Sequence, residues 1–309
     1  MAGQRMEWMD TLRGAAVVAV VVLHVELTTS AVTGYPLAPL AWIDAHLAAV
    51  RMPLLMLLSG ALLSRSLVKG LRQHVRGKVR AILWPYAVWM AVDLTHVFVD
   101  AAAAGRPVPW HMAREALYDP PGYLWFLAWL FAFHLLAGVL PARIRTVAAL
   151  SGLVMAQAAG GVAPDLARFL WLLPFFLLGD ALARTLPHVL PSGAGAAANR
   201  FSVPCLAAVG RSSVVYYVSH MPVVVYAVPL LWLGLGLQAP WVVAALTVTA
   251  ALAVGWALST VQHAPGWRWL FAWPRRSPCR SPRSRPRLDV TEPTGGNPHF
   301  PVLRDALSH

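Results

Sequence analysis

Two ionisable residues near the start of the chain have the types and spacing for chemistry. Arg13 and His24 lie eleven positions apart, which is about 16 Å along a helix and close to three full turns, so both side chains leave one face. A guanidinium that stays charged would stand at one end of that stripe and an imidazole that titrates near neutrality at the other. The pair suits an anionic donor held at one end and proton transfer at the other. The plainer reading is an arginine that snorkels and a histidine that makes one interhelical hydrogen bond. Asp10 or Thr11 is placed to cap the N-terminus of the same helix. Glu26 points about 200° away from His24 and is a poor partner for it, so an orienting carboxylate is sought further along the chain, at Asp93. His220 stands two residues before Pro222, whose missing N–H opens a local kink. His46, His96 and Asp44 are candidates to line an acceptor site. Their spacing matches no metal motif, and no metal is expected.

The elements that position these residues are transmembrane helices. Of the 309 residues, 58% are hydrophobic and 12% charged, about half the charged fraction of a soluble domain; the mean hydropathy is +0.58. That excludes a water-soluble globule, and the long apolar blocks exclude a disordered or fibrous chain. Stretches of roughly 20 apolar residues cross a bilayer, and they fall near 14–30, 41–63, 81–99, 123–140, 146–163, 167–185, 212–236 and 239–261. The expected fold is therefore all-α, a polytopic bundle of about eight helices, with the apolar Gly193–Val209 stretch read as interfacial or as a partial span. The first span has seven more behind it and no small-residue cleavage site, so it reads as a helix and not as a signal peptide.

The net charge of +12 is nearly all arginine, Lys69 and Lys78 being the only lysines. Positive charge gathers in the 64–80, 141–145 and 186–211 connections and after the last span, and is absent or offset by acids in the alternate loops. This bias places both termini in the cytoplasm, and it accounts for the basic balance without a nucleic-acid partner. The division expected is a membrane-embedded domain over 1–264 and a disordered, Arg- and Pro-rich cytoplasmic tail over 265–309. That tail either rests on anionic lipid or is simply solvated. Cys205 and Cys279 have no redox or metal spacing.

Several segments, in order, resemble one family. Met6–His24 (MEWMDTLRGAAVVAVVVLH) carries Asp10, Leu12, Arg13, Ala16 and His24 in the pattern of the first helix of the acyltransferase 3 family, integral-membrane O-acyltransferases with an Arg-x10-His motif. Pro53–Leu63 (PLLMLLSGALL), with Ser59 and Gly60, resembles its apolar run ending in Ser-Gly. Lys78–Tyr86 (KVRAILWPY) resembles its basic-to-apolar entry, Leu124–Leu127 (LWFL) its Trp-Phe-Leu, and Tyr216–Pro222 (YYVSHMP) its late Tyr…His-x-Pro. Two features depart from the pattern: the family commonly shows about ten helices, so that either the chain is a shortened member or Gly193–Val209 and a neighbour are cryptic spans, and Tyr123 stands where a polar residue such as His often precedes that Trp.

The resemblance implies transfer of an acyl group, typically acetyl from acetyl-CoA, to a hydroxyl of a sugar or other glycan-type acceptor in the cell membrane of a bacterium. Acyl-CoA would be a co-substrate, with no cofactor besides. Its phosphates would meet Arg13 and the basic 64–80 loop, above all Arg72, Arg76 and Arg80, since guanidinium forks suit phosphate. His24 would be the general base, or would carry the acyl group as a nucleophile. His220 matches the family's late histidine. Ser59 and Gly60 read as close helix packing, and Trp125 as an outer interfacial aromatic or a sugar-stacking ring. Two other classes compete: a proton-coupled transporter running through Arg13, His24, Asp93 and His220, and a flippase for lipid-linked precursors.

Overall fold

In a computed structural model, residues 6–120, 122–159, 164–189 and 197–273 are described. The expected tail from 274 onward and the 193–196 part of the Gly193–Val209 stretch lie outside them. All regular structure among the described residues is helical, with no strand. The long helices are α1 (Glu7–Thr33), α2 (Ala38–Gly60), α5 (Trp84–Ala103), α7 (Trp125–Val139), α8 (Ala142–Ala159), α9 (Pro164–Val189), α11 (Ser213–Pro229) and α12 (Pro240–Val261). Short helices α3 (Leu63–Leu67), α4 (Leu71–Lys78), α6 (His111–Glu115) and α10 (Pro204–Arg211) connect them. A π-helical turn, Val79–Leu83, joins α4 to α5.

Six helical stretches among the described residues are long and apolar enough to cross a membrane: Glu7–Thr33, Ala38–Leu67, Leu71–Ala103, Leu166–Leu186, Ser213–Gly234 and Pro240–Val261. The fourth expected span is shorter, the 15-residue helix α7. Its missing length has a structural cause. The chain after α5 does not lie over the end of the bundle but folds back into it. The buried Tyr86 hydroxyl donates to Ala116 O, which returns the chain about 25 Å along α5. The re-entrant segment then rises so that Gly122 lies beside Asp93, and α7 begins partway along the bundle. Non-helical backbone at such depth survives where protein groups satisfy it. Here Tyr217 donates its hydroxyl to Tyr123 O, and Tyr123 returns its own to Val218 O at 3.0 Å. Val218 O is free to accept because Pro222, four residues on, has no N–H to donate to it.

The central helix is α1, packed by α2, α10, α11 and α12. It turns into α2 through Gly34, whose left-handed φ of 73° lets its N–H close onto Ser30 O. Elsewhere glycines allow backbones to touch. A Cβ on Gly14 would stand 1.9 Å from Leu206 O, and one on Gly210 would stand 1.8 Å from Asp10 O, so α10 lies directly on the start of α1. The apolar Pro204–Val209 stretch is thus a short packing helix. Gly60 and Gly179 make the equivalent crossing of α2 and α9, where added Cβ atoms would stand 1.8 Å from Phe176 O and 2.0 Å from Leu57 O respectively.

The helix also starts earlier than expected. It begins at Glu7 with Met6 as its N-cap and no side-chain cap. Asp10 and Thr11 therefore sit inside the first turns and not at a cap. Asp10 pairs with Arg13 at 3.6 Å, and Thr11 Oγ1 accepts from Val203 N–H at 3.1 Å. Beyond the last span the chain to Trp273 stays packed: Trp89 Nε1 donates to Leu270 O at 3.1 Å, and Trp273 meets the Trp84 ring at 4.5 Å.

Candidate active site

A cavity of about 220 Å³ opens between the starts of α1 and α11 and the end of α2. Arg13, Lys78 and Ser59 give it a polar, cationic mouth. Val17, Leu55, Ile82, Phe126, Leu127 and Leu130 make it apolar inside, and Tyr217 closes its deep end. Its composition follows helix periodicity. Positions 13 and 17 of α1, 55 and 59 of α2, and 213, 214 and 217 at the start of α11 return to one face every three or four residues. One to two turns deeper on the same faces stand His24, Arg51 and His220.

His24 and His220 meet there, with His24 Nδ1 3.2 Å from His220 Nε2 and ring centroids 5.0 Å apart. The neighbouring carbonyls assign the protons, because a carbonyl only accepts. His220 Nδ1 lies 2.6 Å from Tyr217 O and must carry a hydrogen, so its Nε2 holds a lone pair. His24 Nδ1 lies 2.9 Å from Val20 O, carries a hydrogen, and shares it with His220 Nε2. The two neutral rings therefore leave His24 Nε2 as the lone pair that faces outward from the pair. Tyr123 packs edge-on to His220 at 5.4 Å, and Tyr217 lies 5.8 Å from it. The cavity and the dyad are thus joined through one tyrosine.

Arg51 was not among the sequence candidates. It is buried in α2 at 7% exposure and held by the Asp44 carboxylate, seven residues and two turns away on the same face. The charges of both act on His24. The signal was present as a lone arginine within an apolar span, which is costly unless it is used. Lys78 is the cation of the basic loop that reaches the cavity wall, whereas Arg72, Arg76 and Arg80 are exposed. Asp93 stands beside Gly122 and acts on Tyr123; the position of an orienting group beside His24 is taken by His220. Ser59 Oγ donates back to Leu55 O at 2.7 Å at the cavity mouth. Trp125 contributes to an aromatic cluster with Trp129 at 4.7 Å and lies under Arg168 at 6.0 Å, away from the dyad, while its neighbour Phe126 lines the cavity.

A second buried charge cluster also escaped the sequence reading. Asp180 of α9 is fully buried. It pairs with Arg145 at 3.0 Å and Arg184 at 3.1 Å, and accepts from Ser64 Oγ. Arg145 also donates to Ala137 O at 2.9 Å and Leu140 O at 3.3 Å at the end of α7. This network ties α3, α7, α8 and α9 together.

The sequence model of the acyltransferase 3 family, an acyltransferase domain, matches residues 6–196, a range that holds Arg13, His24, Arg51, Lys78, Tyr123 and most of the cavity wall. No curated protein matches the chain, and no solved structure does.

Proposed function

The chain belongs to the acyltransferase 3 family, and on that premise we propose that it transfers an acyl group, acetyl by default, from acyl-CoA to a hydroxyl of a carbohydrate or glycolipid acceptor. The observation that carries this reading is a cationic-mouthed, apolar cavity ending at Tyr217, whose ring contacts one half of a histidine dyad. A nucleotide bearing phosphates suits Arg13 and Lys78, and an acyl-bearing arm suits the apolar interior. Arg72, Arg76 and Arg80, exposed on the stretch that carries Lys78, would add longer-range attraction for the phosphates. In the topology that goes with this reading, α7 and α8 complete the eight membrane segments, α7 together with the re-entrant chain before it. Both termini and the Arg13 end of the bundle face the cytoplasm of a bacterial cell.

In the chemical step, His24 Nε2 takes the proton from the acceptor hydroxyl as its oxygen attacks the thioester carbonyl. The resulting tetrahedral oxyanion collapses and expels the CoA thiolate, which recovers the proton from the imidazolium. His220 acts as a positioning residue. Its Nε2 shares with Val20 O the task of holding the His24 tautomer and ring orientation, and the shared hydrogen bond strengthens when His24 becomes charged. Arg51, buried and clamped by Asp44, supplies positive potential where the oxyanion develops. The test is incorporation of label from acetyl-CoA carrying a labelled acetyl group into the glycan and lipid fractions of membranes bearing the protein. Incorporation that His24→Ala abolishes supports the reading. Equal incorporation in wild type and His24→Ala removes His24 from the chemistry, and none in either, with the folded protein present, returns weight to transport.

A further inference from the structure

Within the cavity wall one polar ring atom has no hydrogen-bond partner among the described residues. His134 on α7 is 2% exposed and lines the same cavity as Arg13 and Lys78, among Leu127, Leu130 and Phe126. Its Nδ1 lies 2.8 Å from Leu130 O and therefore carries the ring hydrogen. Its Nε2 is buried and makes no hydrogen bond to those residues. A second proton there would create a buried cation in the field of the Lys78 ammonium, which is far costlier than a neutral ring. Nε2 is thus a lone pair that only accepts.

The ring is also held firmly. His74 of α4 stacks on it at 5.6 Å with planes 20° apart, and Phe176 meets it edge-on at 4.8 Å. His74 Nε2 donates to His134 O at 3.2 Å, which leaves His74 Nδ1 to accept from Ser66 Oγ at 2.9 Å. The other ring nitrogens of this small cluster are satisfied internally, so His134 Nε2 is the atom available to a ligand. Buried polar atoms without partners are uncommon and mark places where something else binds.

We propose that His134 Nε2 is the recognition point for a secondary-amide N–H on the ligand's apolar arm. This assignment rests on the acyl-CoA reading above. The pantetheine arm of CoA is largely aliphatic, with a gem-dimethyl carbon and a secondary hydroxyl near the phosphates and, further along, two amides, each with one N–H to donate. An amide entering an apolar cavity without an acceptor would lose its hydrogen bond to water; His134 replaces it and fixes how far the arm has advanced toward Tyr217. A simple acyl chain or a lipid tail has no such donor.

The test uses the full-length protein in detergent and reads dissociation constants for three ligands: acetyl-CoA, the CoA nucleotide lacking the pantetheine arm, and acetyl-CoA analogues in which one arm amide N–H is replaced by an ester oxygen. For wild type, one ester analogue is expected to bind about tenfold more weakly than acetyl-CoA, the scale of one neutral hydrogen bond left unmade. In His134→Leu that difference disappears, while affinity for the armless nucleotide stays at the wild-type value. Analogues that all bind wild type as tightly as acetyl-CoA overturn the assignment even if the variant does not fold, and so does a penalty that persists in His134→Leu. Acetyl-CoA binding no tighter than the armless nucleotide overturns the donor reading itself, and the assignment with it.

Discussion

At the scale of single residues, labour divides between a cationic mouth and a neutral dyad. His24→Ala is expected to lower acyl transfer by a hundredfold or more, about the range of general acid–base catalysis, with acyl-CoA affinity unchanged. His220→Ala removes one of the two acceptors of His24 Nδ1–H, leaving Val20 O, and with it a bond that becomes charge-assisted during the reaction. It should lower kcat by about ten- to a hundredfold, again with donor affinity retained, and shift the acidic limb of the pH–rate profile; a loss confined to KM would contradict a positioning role. Lys78→Met should weaken acyl-CoA binding at physiological salt and at high salt alike, because Lys78 forms the cavity wall. Joint neutralisation of Arg72, Arg76 and Arg80, exposed on the same stretch, should act mainly at low ionic strength, since exposed charges are screened. Binding measured across a salt series separates the two.

At the scale of elements, the helices that carry the site are set by close backbone crossings. Gly14→Ala places a methyl group against Leu206 O, 1.9 Å away, and neither backbone can yield without parting α1 from α10. The expected cost is about 1–3 kcal/mol, the range for overpacking, read as a lower unfolding temperature in detergent. Arg13 is the adjacent residue, so donor affinity should fall as well. Much of this level could be read from the chain. The Arg13–His24 spacing, the long apolar spans and the Ser59–Gly60 packing pair all follow from helix periodicity and hydropathy, and α1 does place Arg13 at the mouth and His24 deeper. What could not be read depends on tertiary placement. The start of α7 looked like an outer interfacial end, because hydropathy cannot register that the chain between α5 and α7 re-enters the bundle and that two tyrosines satisfy its backbone. His220 rather than Asp93 stands beside His24 because α1 and α11 pack together, which no sequence spacing encodes. Arg51 and Asp180 were legible in principle, each being a charge set within an apolar run.

At the scale of the molecule, two features hold the bundle as a unit. The first is the Asp180 network. Asp180→Ala leaves Arg145 buried without its carboxylate, and breaking a buried pair in this way costs about 3–5 kcal/mol. Asp180→Leu combined with Arg145→Met should recover much of that loss, since the only charge it leaves without a carboxylate is Arg184, whose side chain is 32% exposed and can turn to solvent; a double variant no better than the single would contradict a purely structural ion pair. The second is the packing of the chain after α12 against α5. Truncation after residue 264 removes Leu270 and Trp273 from Trp89 and Trp84, and should lower thermal stability relative to truncation after residue 273.

The central claim is that the cavity beneath the dyad is a site for acyl-CoA entered past Arg13, and thermal unfolding with and without ligand tests it without knowledge of the acceptor. A ligand that binds only the folded protein raises its stability by RT ln(1 + [L]/Kd), about 2.7 kcal/mol at a hundredfold excess over Kd. Acetyl-CoA and CoA are expected to raise the unfolding temperature of the purified wild-type protein, the armless nucleotide to raise it less, and Arg13→Ala to abolish the shifts while unfolding cooperatively by itself. No shift with acetyl-CoA at millimolar concentration, or an equal shift in Arg13→Ala, would contradict it.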